Sequence, residues 1–137
     1  MATAGYSGTP LLKKLGITPT QKILLIDAPK DYFTWLEQDI HDQIVQSKEI
    51  PDFIHLFVTS NKNFEAEMKK INLLAKKNTS ILLWVSWYKK AAKMNTDITE
   101  DTIRNYALKN GWVDIKVCAV SDLWSGLKLE VPKANRK

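Results

Sequence analysis

The stretch Pro51-Asp52-Phe53-Ile54-His55-Leu56-Phe57-Val58-Thr59-Ser60 decides how this chain is read. From Phe53 to Val58 it is apolar everywhere except His55. A strand with one wet face alternates, whereas a strand covered on both faces runs apolar without a break. Directly after it, Phe64, Met68, Ile71 and Ala75 recur at helical spacing with lysines between them, and Asn61 or Asn63 stands where a helix cap is wanted. A doubly covered strand leading into an amphipathic helix is the repeating unit of an α/β sheet.

The same unit appears on either side. Upstream, Ile23-Leu24-Leu25-Ile26 is a second unbroken run, ending at Asp27-Ala28-Pro29. Tyr32, Phe33, Leu36 and Ile40 follow at helical spacing, and Ile44-Val45 suggests a short strand. Before it, Thr9 to Gly16 reads as one short helix: Thr9 as N-cap, Pro10 in the first position, Gly16 at the left-handed end. Downstream, Ile81-Leu82-Leu83-Trp84-Val85 is a third strand, running into Trp87-Tyr88-Lys89-Lys90. Thr99 then caps a helix with Glu100 and Asp101 in its first turn, Ile98 and Ile103 as a hydrophobic staple, and Gly111 beyond its end. Val113–Val120 and Leu127–Val131, joined by Ser121 to Gly126, read as a closing hairpin. The pattern predicts a three-layer α/β domain spanning residues 1–137. Its sheet is expected to be mostly parallel, with about five or six strands, helices on both faces and one antiparallel C-terminal hairpin.

Composition excludes several classes. The 137 residues are 45% hydrophobic and 26% charged, an ordinary globular balance. The one cysteine rules out a disulfide framework and a cysteine-built zinc cage. No apolar run reaches the length of a membrane helix, so a cytoplasmic protein without a membrane partner is expected. The net charge of +5 is concentrated in residues 62–93, where eight lysines face only Glu65 and Glu67. That excess reads either as a solvated face with Lys76 and Lys77 at a helix C-terminus, or as the footprint of an anionic partner, nucleic acid included.

In an open α/β sheet, ligands bind beyond the carboxyl ends of the strands. Here those ends are Asp27-Ala28-Pro29, Thr59-Ser60-Asn61, Trp87 to Lys90 and Ser121 to Trp124. Close approach of a diphosphate needs glycines after the first strand, and no glycine lies between Gly16 and Gly111. No dinucleotide, phosphate-loop or adenosylmethionine glycine motif is present, so no cofactor is expected. His41 and His55 are isolated, no metal site is expected, and His55 reads as a buried, hydrogen-bonded residue. Cys118 lies within a strand and reads as inert packing. No catalytic constellation emerges.

The densest candidate is the stretch Trp87, Tyr88, Lys89, Lys90, Lys93, Thr96 and Asp97, within which Trp87, Lys89, Lys90 and Asp97 are the candidate ligand-binding residues, with Asp27, Ser60 and Trp124 added from the other strand ends. Aromatics beside lysines stack a ring and neutralise an anion. The competing reading makes Trp84 and Trp87 packing residues and leaves the lysines solvated.

Several short stretches recur together: Gly5-Tyr6-Ser7-Gly8-Thr9-Pro10-Leu11, Trp84-Val85-Ser86-Trp87, Thr96-Asp97-Ile98-Thr99-Glu100-Asp101, Lys116-Val117-Cys118-Ala119-Val120 and Trp124-Ser125-Gly126-Leu127-Lys128. In this order they resemble a bacterial domain family of unknown function. The resemblance implies a degenerate, methyltransferase-like Rossmann fold without the adenosylmethionine glycine loop, and it supplies no activity. This chain departs from the family's pattern at Tyr88, where a proline is usual, and at Asp27-Ala28-Pro29-Lys30-Asp31, where Asn-Ala-Pro-Glu-Gly is common. Tyr6, Ser7 and Thr9 are then expected either in a strap across the sheet's carboxyl edge or in simple packing against it. The expected function is a non-catalytic binding module for an anionic small molecule or a protein partner. A diverged group transferase is the alternative, with nucleic-acid binding through residues 62–93 the second.

Overall fold

The computed structural model describes residues 10–46 and 49–135. In chain order it contains α1 (Leu11–Leu15), β1 (Ile23–Ile26), α2 (Tyr32–Leu36), β2 (Phe53–Phe57), α3 (Asn61–Lys77), β3 (Leu82–Tyr88), α4 (Glu100–Lys109), β4 (Val113–Ala119) and β5 (Trp124–Glu130). The five strands lie in the order β1-β2-β3-β5-β4. β1, β2 and β3 pair in parallel, while β5 is antiparallel to both β3 and β4. The sheet is therefore mixed, half of its four interfaces being parallel, and it has five strands. The expected hairpin is present, but its second strand is inserted next to β3 and so contributes two antiparallel interfaces.

The unbroken apolar runs become strands covered on both faces, as their composition requires. All five residues of β2 are buried. On one face α3 contributes Phe64, Met68, Ile71 and Ala75, and α4 contributes Ile103 and Ala107, to an aliphatic core with Leu56, Leu83 and Leu127. On the other face α1 and α2 bring Leu11, Leu15, Tyr32 and Leu36 against Phe53, Phe57, Trp84 and Trp124. The indole nitrogen of Trp84 donates to the Leu15 carbonyl at 2.8 Å, tying the end of α1 to the middle of the sheet.

Helix ends follow local chemistry, with some shifts from expectation. The Thr99 hydroxyl accepts the Thr102 amide, and Gly111 takes φ 86° beyond α4, as read from the sequence. Gly16 is left-handed at the end of α1, at φ 79°. Pro10, however, is the N-cap of α1 and not its first helical residue, and Thr9 lies outside the described residues. α3 is capped by Ser60, whose hydroxyl accepts the Asn63 amide, and not by either asparagine. β3 continues through Trp87 and Tyr88, and β5 starts at Trp124. The turn between β4 and β5 is correspondingly shorter than the Ser121-to-Gly126 loop expected. The Ser121 hydroxyl closes it by accepting the amides of Leu123 and Trp124, both at 3.2 Å.

The path from β1 to β2 sets the position of the site. After α2 the chain passes along the outer edge of β1, where Ile44 bridges Ile23 and the Val45 amide donates to the Ile23 carbonyl. It then returns to form β2 on the other side of β1. Chain direction across the sheet thus reverses at β1, leaving a gap at the carboxyl ends of β1 and β2. This is the topological switch point where open α/β sheets hold ligands.

Candidate functional site

Two crevices open along the carboxyl edge, and Tyr88, the last residue of β3, lines both. The first, about 720 Å³, lies between the end of β3 and the start of α4. Lys89, Lys90, Met94, Thr96 and Thr99 line it, as do Glu100 and Asp101. The second, about 560 Å³, lies at the switch point and is lined by Asp27, Asp31, Trp35, Phe57 and Trp124 among others.

The sequence-derived candidates therefore divide. Trp87, Lys89 and Lys90 belong to the first crevice, and Asp27 and Trp124 to the second. Trp87 is largely buried and serves as packing at the rim of the aliphatic core. Ser60 and Asp97 are both spent on the start of α3: Ser60 caps it, and the Asp97 carboxylate accepts the Asn61 amide at 2.6 Å. Tyr6, Ser7 and Thr9 lie outside the described residues, whereas Leu11 next to them is buried in the aromatic core.

Charge in the first crevice is decided by which groups are already committed. Arg104 pairs with Glu100 at 2.6 Å and Asp101 at 3.6 Å, and also reaches Asp114 at 3.0 Å. The hydrogen bonds its guanidinium donates to Glu100 and then Asp114 hold it above the ordinary arginine range. Half-buried Lys89 and exposed Lys90 have no ion-pair partner among the described residues. Lys89 is fixed through its backbone, whose amide donates to the Leu123 carbonyl at 2.8 Å. The five lysines of α3 are all exposed, with Lys76 and Lys77 in its last turn, where cations complement the free carbonyls.

The second crevice is walled by aromatic rings. Tyr88 stacks on Trp124 at 4.1 Å between centroids, and Phe57 meets Trp124 edge-on at 5.0 Å. Phe57 in turn stacks on the His55 ring at 4.4 Å. Asp27 sits at φ 58°, a left-handed backbone that aspartate tolerates better than most residues other than glycine. Trp35, Phe57 and Asp31 were not singled out by the sequence. Phe57 reads as a residue of a covered strand, Trp35 lies beside the helical stripe, and no local signal marks Asp31.

Beneath this wall lies a buried polar chain. The Tyr32 hydroxyl is 2.8 Å from His55 Nδ1, and His55 Nε2 is 2.8 Å from the Ser86 hydroxyl. All three side chains are fully buried. A neutral imidazole has one donor and one acceptor nitrogen, and a hydroxyl can take either role, so every member is satisfied. Burial pushes His55 down to about 3 and drives Tyr32 far above the usual tyrosine range. His55 is thus the buried, hydrogen-bonded residue that the sequence suggests. Burial raises the Cys118 thiol, against the opposing influence of Lys14 and Lys116, as befits a packing cysteine. No group of three metal-ligating side chains occurs among the described residues. None of the described helices is long and apolar enough to cross a membrane.

No family model matches the chain, and no curated protein matches its sequence. Solved structures do. A protein of the NADB-Rossmann superfamily from Streptococcus agalactiae superposes with a TM-score of 0.54 at 10% identity, covering 96% of this chain and 72% of its own. The fold is Rossmann-like. An uncharacterized protein from Listeria monocytogenes serotype 4b gives 0.56 at 11% identity, over 93% of this chain and 69% of its own. At such identities the likeness concerns the fold alone.

Proposed function

We propose that this Rossmann-like domain is a binding module whose crevice between β3 and α4 receives a small anionic molecule. One observation carries the reading: Lys89 and Lys90 line that crevice without an ion-pair partner among the described residues, while Arg104 offsets part of the carboxylate charge beside them. Glu100 and Asp101 are held by Arg104, and Asp97 by the Asn61 amide. Lys89 and Lys90 remain as the free charges, while the Thr96 and Thr99 hydroxyls that also line the crevice are engaged by the Thr59 carbonyl and by Thr102. A binding role, as opposed to a catalytic one, is supported by the burial of the groups best suited to chemistry. His55, Ser86 and Tyr32 are sealed inside the sheet layer. The lack of glycine after β1 argues against a bound diphosphate at that turn.

A transferase is the second reading. The feature favouring it is the antiparallel β5 slotted between β3 and β4, which suits a methyltransferase-like sheet. Calorimetric titration with pyrophosphate, citrate and S-adenosylmethionine separates the two. The binding reading predicts heat with the first two, weakening as salt is added, and a loss of at least about tenfold in affinity in Lys89→Ala/Lys90→Ala. Unchanged anion affinity in that variant contradicts it. Heat from S-adenosylmethionine alone favours the transferase.

A further inference from the structure

We infer that the second crevice, at the switch point between β1 and β2, is a separate site for a small organic cation of the methylated or quaternary ammonium class. Its chemistry is opposite to that of the lysine crevice. No lysine or arginine lines it, and Lys30, between Asp27 and Asp31 in sequence, is exposed and outside the lining. Four aromatic residues line it: the half-buried Trp35 and Tyr88, and the nearly buried Phe57 and Trp124, whose rings pack mainly on His55, Tyr88 and each other. The face of an aromatic ring carries negative charge density, so several rings around one cavity attract a cation, most strongly one too greasy to demand a full water shell.

The two carboxylates at the mouth are uncommitted. Asp31 occupies the N-cap position of α2 but makes no side-chain capping bond, although capping is the ordinary use of an aspartate there. Asp27 stands in the left-handed conformation directly after β1, and its carboxylate has no ion-pair or hydrogen-bond partner among the described residues.

The walls are also rigid. Trp124 is clamped between the stacked Tyr88 and the edge-on Phe57. Tyr32 meets both Trp35 and Phe57 edge-on, at 6.3 and 5.7 Å, and is itself anchored through its hydroxyl to His55. A rigid wall loses little freedom on binding, which favours affinity for a small ligand. At about 560 Å³ the crevice falls within the ordinary range for small-molecule sites. A bare metal ion is a poor occupant, since aromatic carbon supplies no ligand atoms and only two carboxylates are at hand.

The test uses choline and its uncharged carbon isostere, 3,3-dimethylbutan-1-ol, read by tryptophan fluorescence and calorimetry on the full chain. Choline is expected to bind and quench fluorescence, and the isostere to bind at least about tenfold more weakly, the difference being the cation–π and carboxylate contribution. Asp27→Asn, which keeps the side chain's shape, is expected to weaken choline several-fold, and Trp35→Ala by about tenfold. Lys89→Ala/Lys90→Ala is expected to leave choline binding unchanged, so failure of the anion site and failure of this one are distinguishable. Equal binding of choline and the isostere reveals an apolar pocket and overturns the inference. So does the absence of any response at millimolar choline in a folded protein. Should Trp35→Ala fold poorly by circular dichroism, Asp27→Asn alone decides.

Discussion

The two crevices share an edge of one sheet and even share Tyr88, yet they present opposite chemistry. Both are bordered by carboxylates: Glu100 and Asp101 in one, Asp27 and Asp31 in the other. What separates them is commitment. Arg104 offsets part of the charge of the first pair and Lys89 and Lys90 stand beside it unpaired, whereas the second pair has no base along its crevice. The difference teaches that a count of charged residues near a cleft says little until each has been matched with its partner. It also separates supports: the aromatic crevice rests on a buried polar chain, while the lysine crevice rests on a helix start and a hairpin turn.

The strongest way to break this comparison is to remove the support of one side only. His55→Ala leaves the Tyr32 and Ser86 hydroxyls unsatisfied, opens a void beneath Phe57, and is expected to cost about 4 kcal/mol in urea unfolding. Choline binding should fall with it, while pyrophosphate binding to the protein that remains folded should persist.

Acid probes the same chain without mutation. The folded-state value of His55 lies below the ordinary value of 6.5, so between roughly pH 6.5 and 3 the unfolded chain binds the extra proton. Stability is therefore complete above that window and should fall as pH drops, by up to about 1.4 kcal/mol per unit. Melting curves of wild type and His55→Gln between pH 7 and pH 4, both taken within the folded range, check this, and the variant should show the flatter dependence. Tyr32, shifted the other way, should make stability decline again above about pH 10.

A smaller effect is expected at Gly126, which packs against the same face. A methyl group there meets Val120 at 2.9 Å and the Trp84 ring at 3.1 Å, so Gly126→Ala should cost about 2 kcal/mol by overpacking. The mildest test concerns the other side. Thr99→Ala removes the cap of α4 at the mouth of the lysine crevice and should cost about 1 kcal/mol, with choline binding unaltered.

Much of the fold was legible because its signals are local. The apolar runs at Ile23, Phe53 and Leu82 announce covered strands, the stripe Phe64, Met68, Ile71, Ala75 announces α3, and Thr99 with Gly111 brackets α4. The less legible parts depend on partners distant in sequence. Trp124 looks like a turn residue until its register with Tyr88 makes it the first residue of a strand. Ser60 and Asp97 look like site residues until α3 claims both. Lys89 and Trp124 look like one cluster, but Tyr88 stands between their crevices. Trp35 and Phe57 were hidden by their apolarity, since a core residue and a cage wall have the same composition and differ only in what lies on the open side.

The most direct test is amide chemical-shift mapping of the labelled protein with pyrophosphate and with choline, added separately. Two disjoint footprints are predicted: residues 89–101 for pyrophosphate, and residues 27–35, 57–59 and 124 for choline, meeting only at Tyr88. A single footprint shared by both probes, or shifts scattered over the α3 lysines instead, contradicts the account.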